Sequence, residues 1–351
     1  MTAPPLPYIW TAAMTRRNMN RREALRTGFA GATGLAAGLG LITSACGDSD
    51  PGGSGEAARQ AGGAELQGVA GESPVRKRAI PSSGEEIPVV GIGTARRYDT
   101  DSPADKEILR EVIRQFPLRG GKVIDTAPSY GFAEEVVGEL VNDVGNRDDL
   151  FLATKVPLFD RPAGREEGIR MMEESMRILH TDVIDLMQIH NMQGFQELYP
   201  VLQEWKEAGR IRYTGMSTSR DPEYPAFLDL MESHDLDLVQ VDYSIDNRTA
   251  AEEILPLAQA REMGVLVNLP FGRTSVFQKV GDMELPEWTR EFDCGSWAQF
   301  FLKYILSHPA ITCVIPGTAT LAYMEDNLGA GRGRLPDADT RVRMEAFFDA
   351  L

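Results

Sequence analysis

The stretch Lys122-Val123-Ile124-Asp125-Thr126-Ala127-Pro128-Ser129-Tyr130-Gly131 sets the pattern of the whole chain. Val123-Ile124 is a short apolar run that reads as a buried strand. Asp125 stands at its carboxyl end, where the chain turns into a loop. Tyr130 and Gly131 close that loop, and a helical run opens at Phe132.

Working outward, the same strand-loop-helix unit recurs. Upstream, residues 75–80 and 86–90 flank Pro81-Ser82-Ser83-Gly84, which reads as a hairpin. Residues 89–94 form an apolar strand spaced by Gly91 and Gly93. The stretch 102–116 then places Ile108, Leu109, Val112, Ile113 and Phe116 at helical spacing. Downstream, strands at 150–154, 183–189, 211–216, 238–241, 265–269 and 312–315 are expected. They alternate with helices at 164–179, 195–208, 222–232, 249–262, 296–306 and 320–328, and the seventh strand is followed by a long irregular stretch. Short apolar strands joined by helices imply a parallel sheet covered by helices. Eight such units imply an α/β fold, a closed (β/α)8 TIM barrel with an N-terminal hairpin and, at 337–351, a C-terminal extra helix. An open dinucleotide-binding sheet would carry a G-x-G-x-x-G turn after an early strand, and none follows a strand here. Gly91 and Gly93 lie inside a strand and read as packing positions.

Composition fits one such domain with extensions. The chain has 351 residues, 42% of them hydrophobic, enough for a barrel of about 250 residues. Net charge is −16, and the first 45 residues, with five Arg and one Glu, carry +4, so the remainder carries −20. So acidic a body argues against a nucleic-acid partner and against adhesion to anionic lipid. Cys46, Cys294 and Cys313 are too few and too scattered for a disulfide framework or a zinc site, so no metal is expected.

The first residues read as a targeting segment rather than as fold. Asn20-Arg21-Arg22-Glu23-Ala24-Leu25-Arg26 resembles the twin-arginine export motif, and residues 28–45 after it are uncharged and rich in Gly and Ala. Met14 and Met19 are both usable starts. Thr43-Ser44-Ala45-Cys46 resembles a lipoprotein cleavage box, with Thr43 where that pattern usually has Leu. Two alternatives stay open: lipidation at Cys46, or simple cleavage near Ala45. The expected organisation is a signal segment at 1–46, a flexible linker at 47–75 rich in Gly, Ala, Ser, Asp and Glu, and a barrel at 76–351. The protein is then exported and extracytoplasmic, touching a membrane only through its signal or an anchor.

In a barrel, reactive side chains gather at the carboxyl ends of the strands. The polar residues expected there are Asp125 and Tyr130, Lys155, His190, Ser217, Gln240 and Asp242, Asn268, and Gly317-Thr318. Taken singly, Asp125 reads equally as a turn cap, Tyr130 as a packed aromatic and His190 as a structural imidazole. Together they form a proton-transfer set. A phenol with its ordinary pKa near 10 is a sluggish acid at neutral pH, and an adjacent ammonium lowers that pKa. Asp125 would hold Lys155 in place, and a neutral His190 would orient a carbonyl. Such a site protonates a carbonyl oxygen while hydride reaches its carbon. No side chain donates hydride, so a nicotinamide cofactor is implied.

Three stretches carry a family resemblance: Asp125-Thr126-Ala127 with Tyr130-Gly131, Ala153-Thr154-Lys155-Val156, and Asp185-Leu186 with Ile189-His190. They resemble the signature stretches of the aldo-keto reductase superfamily, and the likeness runs from about Arg78 to Ala330. The resemblance implies Tyr130 as general acid/base, Lys155 as its tuner, Asp125 as the partner of Lys155, and His190 as the carbonyl-orienting residue. It also implies a cofactor site. Gly215-Met216-Ser217-Thr218 is similar to a Gly-Val-Ser-Asn stretch that holds the nicotinamide amide, and Gln240 matches a further amide contact. Asn268-Leu269-Pro270-Phe271-Gly272 is similar to Tyr-Ser-Pro-Leu-Gly, with Asn268 where many members stack an aromatic ring and Phe271 as its substitute. Ile315-Pro316-Gly317-Thr318 and Glu325-Asp326-Asn327-Leu328 match the adenosine-phosphate segment, and Tyr323 stands where some members place an Arg on the 2′-phosphate. The implied cofactor is NADP, the family default, or NAD. The implied partner is a small-molecule carbonyl or alcohol, interconverted by hydride transfer. Two other readings share the barrel: an exported cofactor-binding sensor or accessory subunit, and a sugar or secondary-alcohol dehydrogenase with tightly bound NAD. The stretch 274–295, with Phe277, Leu285, Trp288 and Phe292, is expected to cover the substrate pocket.

Overall fold

The computed structural model of the chain describes residues 73–156 and 164–351. The expected export segment, the anchor alternative at Cys46 and the linker up to residue 72 lie outside the described residues. The chain enters through an antiparallel hairpin, β1 (Lys77–Ala79) and β2 (Glu86–Pro88), paired Arg78 to Ile87. Eight parallel strands follow: β3 (Ile92–Gly93), β4 (Val123–Asp125), β5 (Phe151–Val156), β6 (Ile184–Ile189), β7 (Ile211–Ser217), β8 (Leu238–Asp242), β9 (Gly264–Asn268) and β10 (Cys313–Val314). Each pairs with its neighbour in sequence. The sheet closes on itself where Val90 bridges Val314 and Gly93 bridges Gly317. Gly91 N donates to Val314 O at 2.8 Å and Gly93 N to Pro316 O at 3.0 Å. A Cβ on Gly93 would stand 2.7 Å from the Ile315 carbonyl oxygen, so the seam tolerates no side chain there. This is the packing role expected for the two glycines.

Ten α-helices surround the strands: α1 (Pro103–Leu118), α2 (Ala133–Val144), α3 (Arg165–Ile178), α4 (Phe195–Glu207), α5 (Tyr224–Ser233), α6 (Ile254–Ala260), α7 (Ser275–Val280), α8 (Trp297–Leu306), α9 (Leu321–Ala330) and α10 (Ala338–Asp349), counted among the described residues. Their starts follow from capping chemistry. The side chains of Ser102, Ser296, Thr320 and Asp337 accept from the backbone N–H groups of Asp105, Gln299, Tyr323 and Thr340. α1 buries Leu109, Val112, Ile113 and Phe116 as its spacing predicts, while Ile108 stays half exposed to solvent.

Two expected segments differ. The helix expected over 249–262 is a 3-10 turn, Thr249–Ala251, followed by α6. Pro256 lacks an N–H and is best accommodated in a helix's first turn, which is where it stands in the helix that begins at Ile254. The irregular stretch after β9 contains α7 and a 3-10 helix, Glu287–Phe292. Its Phe292 is buried in the core, and Phe277, Leu285 and Trp288 are partly buried against it. Phe277 meets Phe301 with ring centres 5.4 Å apart, and Trp288 meets Phe300 at 5.9 Å.

The barrel interior alternates along each strand with a period of two. Its lower part is an apolar cluster of Val123, Phe151, Ala153, Leu186, Tyr213, Leu238, Leu266, Cys313 and Ile315, completed by Ile80 and Ile87 beside the hairpin. Continuing the same parity toward the carboxyl ends gives Asp125, Lys155, Gln188, His190, Ser217, Gln240, Asp242 and Asn268. Pairings such as Lys155 with Gln188 and Ser217 with Gln240 set these polar residues side by side. The interior is therefore apolar below and polar above.

Helix packing leaves little slack. A Cβ on Gly138 of α2 would collide with the carbonyl oxygen of Ile178 at the end of α3. Gly138→Ala is expected to destabilise the fold by roughly 1–3 kcal/mol through overpacking, despite alanine's better helix propensity. Urea unfolding measures it; a midpoint at or above wild type would contradict the packing described.

Candidate active site

Lys155 is the least expected residue in the molecule. Its side chain is 1% exposed, inside β5 rather than after it as its sequence position suggested. Leaving an ammonium there without partners would be very costly. Its Nζ donates to Asp125 Oδ1 at 2.6 Å and to the Thr126 carbonyl at 2.9 Å. The second carboxylate oxygen of Asp125 accepts from Gln188 Nε2 at 3.1 Å. Thr94 donates to the Asp125 carbonyl from both its N–H and its hydroxyl, at 3.1 and 3.0 Å. Burial opposes the Lys155 charge, but the Asp125 carboxylate and the nearby Tyr130 outweigh it, and the ammonium is held above its ordinary pKa.

Tyr130 is half-buried and faces this ammonium, with Lys155 Nζ 5.0 Å from its ring centre. The turn that carries it is tight. Gly131 has φ +67, and Phe132 N donates to Asp99 Oδ1 at 2.9 Å. Sequence reasoning expects Lys155 to lower the phenol's pKa. In the structure burial pushes it up further than the Lys155 charge pulls it down, so the net direction is upward. Tyr130 is thus protonated at neutral pH, the state from which it can donate. His190 lies edge-on to Tyr130, ring centres 5.8 Å apart, with Nδ1 3.4 Å from Ser129 Oγ. Burial, then the Lys155 charge, lowers its pKa to about 3, so the imidazole is neutral. The four residues predicted from sequence converge as expected.

The expected cofactor residues spread around the remaining mouth. Ser217 Oγ accepts from Asn191 N at 3.3 Å. Thr218 is buried and its hydroxyl donates to Glu223 at 2.8 Å, while its carbonyl accepts from Asn268 Nδ2 at 3.1 Å. Thr218 therefore positions Asn268 with its backbone. Two buried polar atoms among these residues have no partner, Gln240 Nε2 and Asn268 Oδ1. One is a donor and one an acceptor, the complement of a carboxamide, so the residues present fit a nicotinamide group. After β9 the backbone is left-handed at Leu269 (φ 48), Gly272 (φ 51), Arg273 (φ 54) and Thr274 (φ 87), which is strained for the three that are not glycine. Pro270 is buried there, and the Phe271 ring packs on Phe277 at 4.9 Å. Ile315 and Pro316 are buried at the barrel seam, Gly317 is exposed, and Thr318 is buried with its hydroxyl accepting from Asn327 Nδ2 at 3.1 Å. Asp326 accepts from Ser296 Oγ at 2.9 Å and Gln299 Nε2 at 2.8 Å, so its carboxylate ties α9 to α8. Outside the mouth, Asp185 is structural, accepting from Leu152 N and Arg147, both at 2.8 Å. Cys294 and Cys313 are buried and unpaired.

Two residues escaped sequence reasoning. Gln188 was signalled by parity, since it is polar, lies two before His190 and shares its face. Glu134 gave no signal, because it looks like an ordinary acidic residue in the first turn of α2. It is 2% exposed, accepts from Thr154 Oγ1 at 2.6 Å and Ser175 Oγ at 3.3 Å, and has no ion-pair partner among the described residues.

Comparison with known proteins follows from this geometry. A family model described as the aldo/keto reductase family matches residues 89–342. The chain is 32% identical over 201 residues to the aldo-keto reductase YhdN of Bacillus subtilis, a match covering 54% of this chain and 60% of that protein. It is 27% identical to the methylglyoxal reductase YeaE of Escherichia coli, across 78% of this chain and 96% of that one. Among solved structures, an aldo/keto reductase from Klebsiella pneumoniae in complex with NADP and acetate superposes with a TM-score of 0.62 at 22% identity, covering 78% of this chain and 96% of the other.

Glu134 makes the local electrostatics testable. Burial, against the hydroxyl bonds and Lys155, raises its pKa from 4.5 to about 7. A carboxyl whose folded pKa lies above its unfolded one stabilises the fold at low pH and loses that contribution as pH rises through the folded pKa. Between pH 5 and pH 8 wild type should lose on the order of 3 kcal/mol relative to Glu134→Gln. Urea midpoints of both proteins at the two pH values measure this; a pH-independent gap between them would show that Glu134 ionises freely.

Proposed function

The chain belongs to the aldo/keto reductase family, and on that premise we propose that it is an NAD(P)-dependent oxidoreductase interconverting an aldehyde or ketone and the corresponding alcohol. The observation that carries the reading is the placement of Tyr130 beside the buried Lys155–Asp125 pair, with neutral His190 edge-on to the phenol. The relatives' names, an aldo-keto reductase and a methylglyoxal reductase, and the NADP in the Klebsiella structure support it.

Ser217, Gln240 and Asn268 would hold a nicotinamide dinucleotide, which would supply the hydride. The chain's own residues handle the proton. In reduction, Tyr130 Oη gives its proton to the carbonyl oxygen, and the Lys155 ammonium compensates the phenolate charge that remains. Oxidation returns the proton to Tyr130. His190 keeps its Nδ1 near Ser129 Oγ, which leaves Nε2 to hydrogen-bond the substrate oxygen and orient it. The role of Asp125, anchored by Gln188 and Thr94, is to fix the Lys155 ammonium below the phenol.

Purified protein with NADPH or NADH and a panel of aldehydes and ketones should consume the reduced-nicotinamide absorbance. Tyr130→Phe should reduce kcat by about 10²–10⁴-fold, the usual contribution of a positioned general acid, while dinucleotide binding persists. Because His190 is neutral above about pH 3, the wild-type reduction rate should show no ionisation near the ordinary histidine value of 6.5. Turnover that is unchanged in Tyr130→Phe would overturn the mechanism.

A further inference from the structure

The loop expected to hold the adenosine phosphates contains no cation. From Ile315 to Leu328 the charged residues are Glu325 and Asp326, both acidic. Glu325 pairs with Arg119 at 2.7 Å, and Asp326 is taken up by Ser296 and Gln299. Gly317 brings no side chain at all. A body carrying a net −20 would repel a dinucleotide phosphate unless cations are placed against it.

Such cations stand on the neighbouring loop. β3 lies next to β10 at the barrel seam, so the loop after β3 borders Gly317-Thr318. That loop carries Arg96 and Arg97, both exposed. Most basic side chains of this protein are paired with carboxylates or carbonyls; among the described residues neither of these guanidiniums has an ion pair or a side-chain hydrogen bond. The Arg97 stem crosses Gly317, with its Cγ 3.5 Å from where a Cβ on that glycine would sit. The loop is also fixed in place. Arg97 N and Tyr98 N both donate to Thr94 O, at 3.1 and 3.0 Å, and Thr94 is itself bonded to Asp125 O. Asp99 ties the loop's far end to Phe132 N. Arg96 holds a left-handed backbone, φ 65, that a non-glycine residue rarely adopts. On the other flank, the loop after β9 offers Arg273, exposed and likewise without a side-chain partner among the described residues. The loops after β9, β10 and β3 are consecutive around the mouth.

Resting on the dinucleotide-dependent reading above, we propose that Arg97, with Arg96 beside it, is a phosphate ligand for the bound dinucleotide. The loop after the first barrel strand thereby supplies the charge that the loop after the eighth lacks. The shared chemistry is a dinucleotide phosphate, either the bridging diphosphate or the 2′-phosphate, held by charge-assisted hydrogen bonds.

The test is equilibrium binding of NADPH and of NADH by fluorescence, at several salt concentrations, to wild type, Arg97→Ala, Arg97→Gln and the Arg96→Ala/Arg97→Ala double variant. Both Arg97 variants should bind about tenfold or more weakly and with a shallower salt dependence, the double variant should be weaker still, and thermal melting should stay at the wild-type temperature. Equal losses for both dinucleotides would assign the diphosphate, and a loss confined to NADPH the 2′-phosphate; either supports the proposal. Unchanged affinity and salt dependence would overturn it, as would a variant whose only defect is a raised KM for anionic substrates. Wild type binding neither dinucleotide would instead remove the functional reading beneath it.

Discussion

The ion pair between Lys155 and Asp125 is the constraint on which the rest of the site depends. Both side chains are almost wholly withdrawn from water, at 1% and 3% exposure. An isolated charge in that position would be untenable, and removing one member of such a buried pair typically costs about 3–5 kcal/mol. The surrounding structure therefore has to satisfy every remaining bond. Thr126 O accepts a second hydrogen bond from the Lys155 ammonium, Gln188 donates to the free carboxylate oxygen, and Thr94 fixes the backbone beneath Asp125. With those partners in place the ammonium is permanent, and it acts on both reactive neighbours. It pulls the Tyr130 phenol downward against a larger upward effect of burial, and it adds to the burial that keeps His190 neutral.

The barrel makes this arrangement affordable in conformational terms. Successive side chains on a strand alternate in and out, so a single inward row can change from apolar to polar within a few residues. Val123 is followed on its face by Asp125, Phe151 and Ala153 by Lys155, and Leu186 by Gln188 and His190. The apolar lower part, completed by Ile80 and Ile87, fills the barrel. The polar upper part holds the reacting groups on strands rather than on flexible loops. Tyr130 and His190 are the exceptions: His190 opens a 3-10 turn just past β6, and Tyr130 is carried on a turn tied by Gly131 and Asp99 to the loop after β3.

Much of this was legible in the sequence because it rests on periodicity. Strand and helix alternation depends on apolar spacing and identified all eight units; Asp125, Tyr130, Lys155 and His190 could be placed because each sits at or near the end of a strand. What escaped depends on contacts that spacing does not encode. The burial of Glu134 arises only because Thr154 and Ser175, from β5 and α3, close over it. The hydrogen bonds from Ser296 and Gln299 that tie Asp326 to α8 likewise come from a neighbouring helix that spacing does not reveal. The packing of the 274–295 aromatic rings against α8, Phe277 on Phe301 and Trp288 on Phe300, was equally hidden. The sign of the Tyr130 shift was also hidden, since a neighbouring charge can be inferred from a motif whereas the extent of burial cannot. The reading of residues 1–46 as an export signal concerns a part of the chain outside the described structure.

The central claim is that Asp125 and Lys155 act on Tyr130 as one unit. A double-mutant cycle on kcat with Asp125→Asn, Lys155→Met and the combined variant tests it, provided all three retain the wild-type circular dichroism spectrum. If the two residues are one unit, either single substitution removes nearly all the rate that the double substitution removes, and the coupling energy is large. Independent, multiplicative losses from the two substitutions would contradict the account.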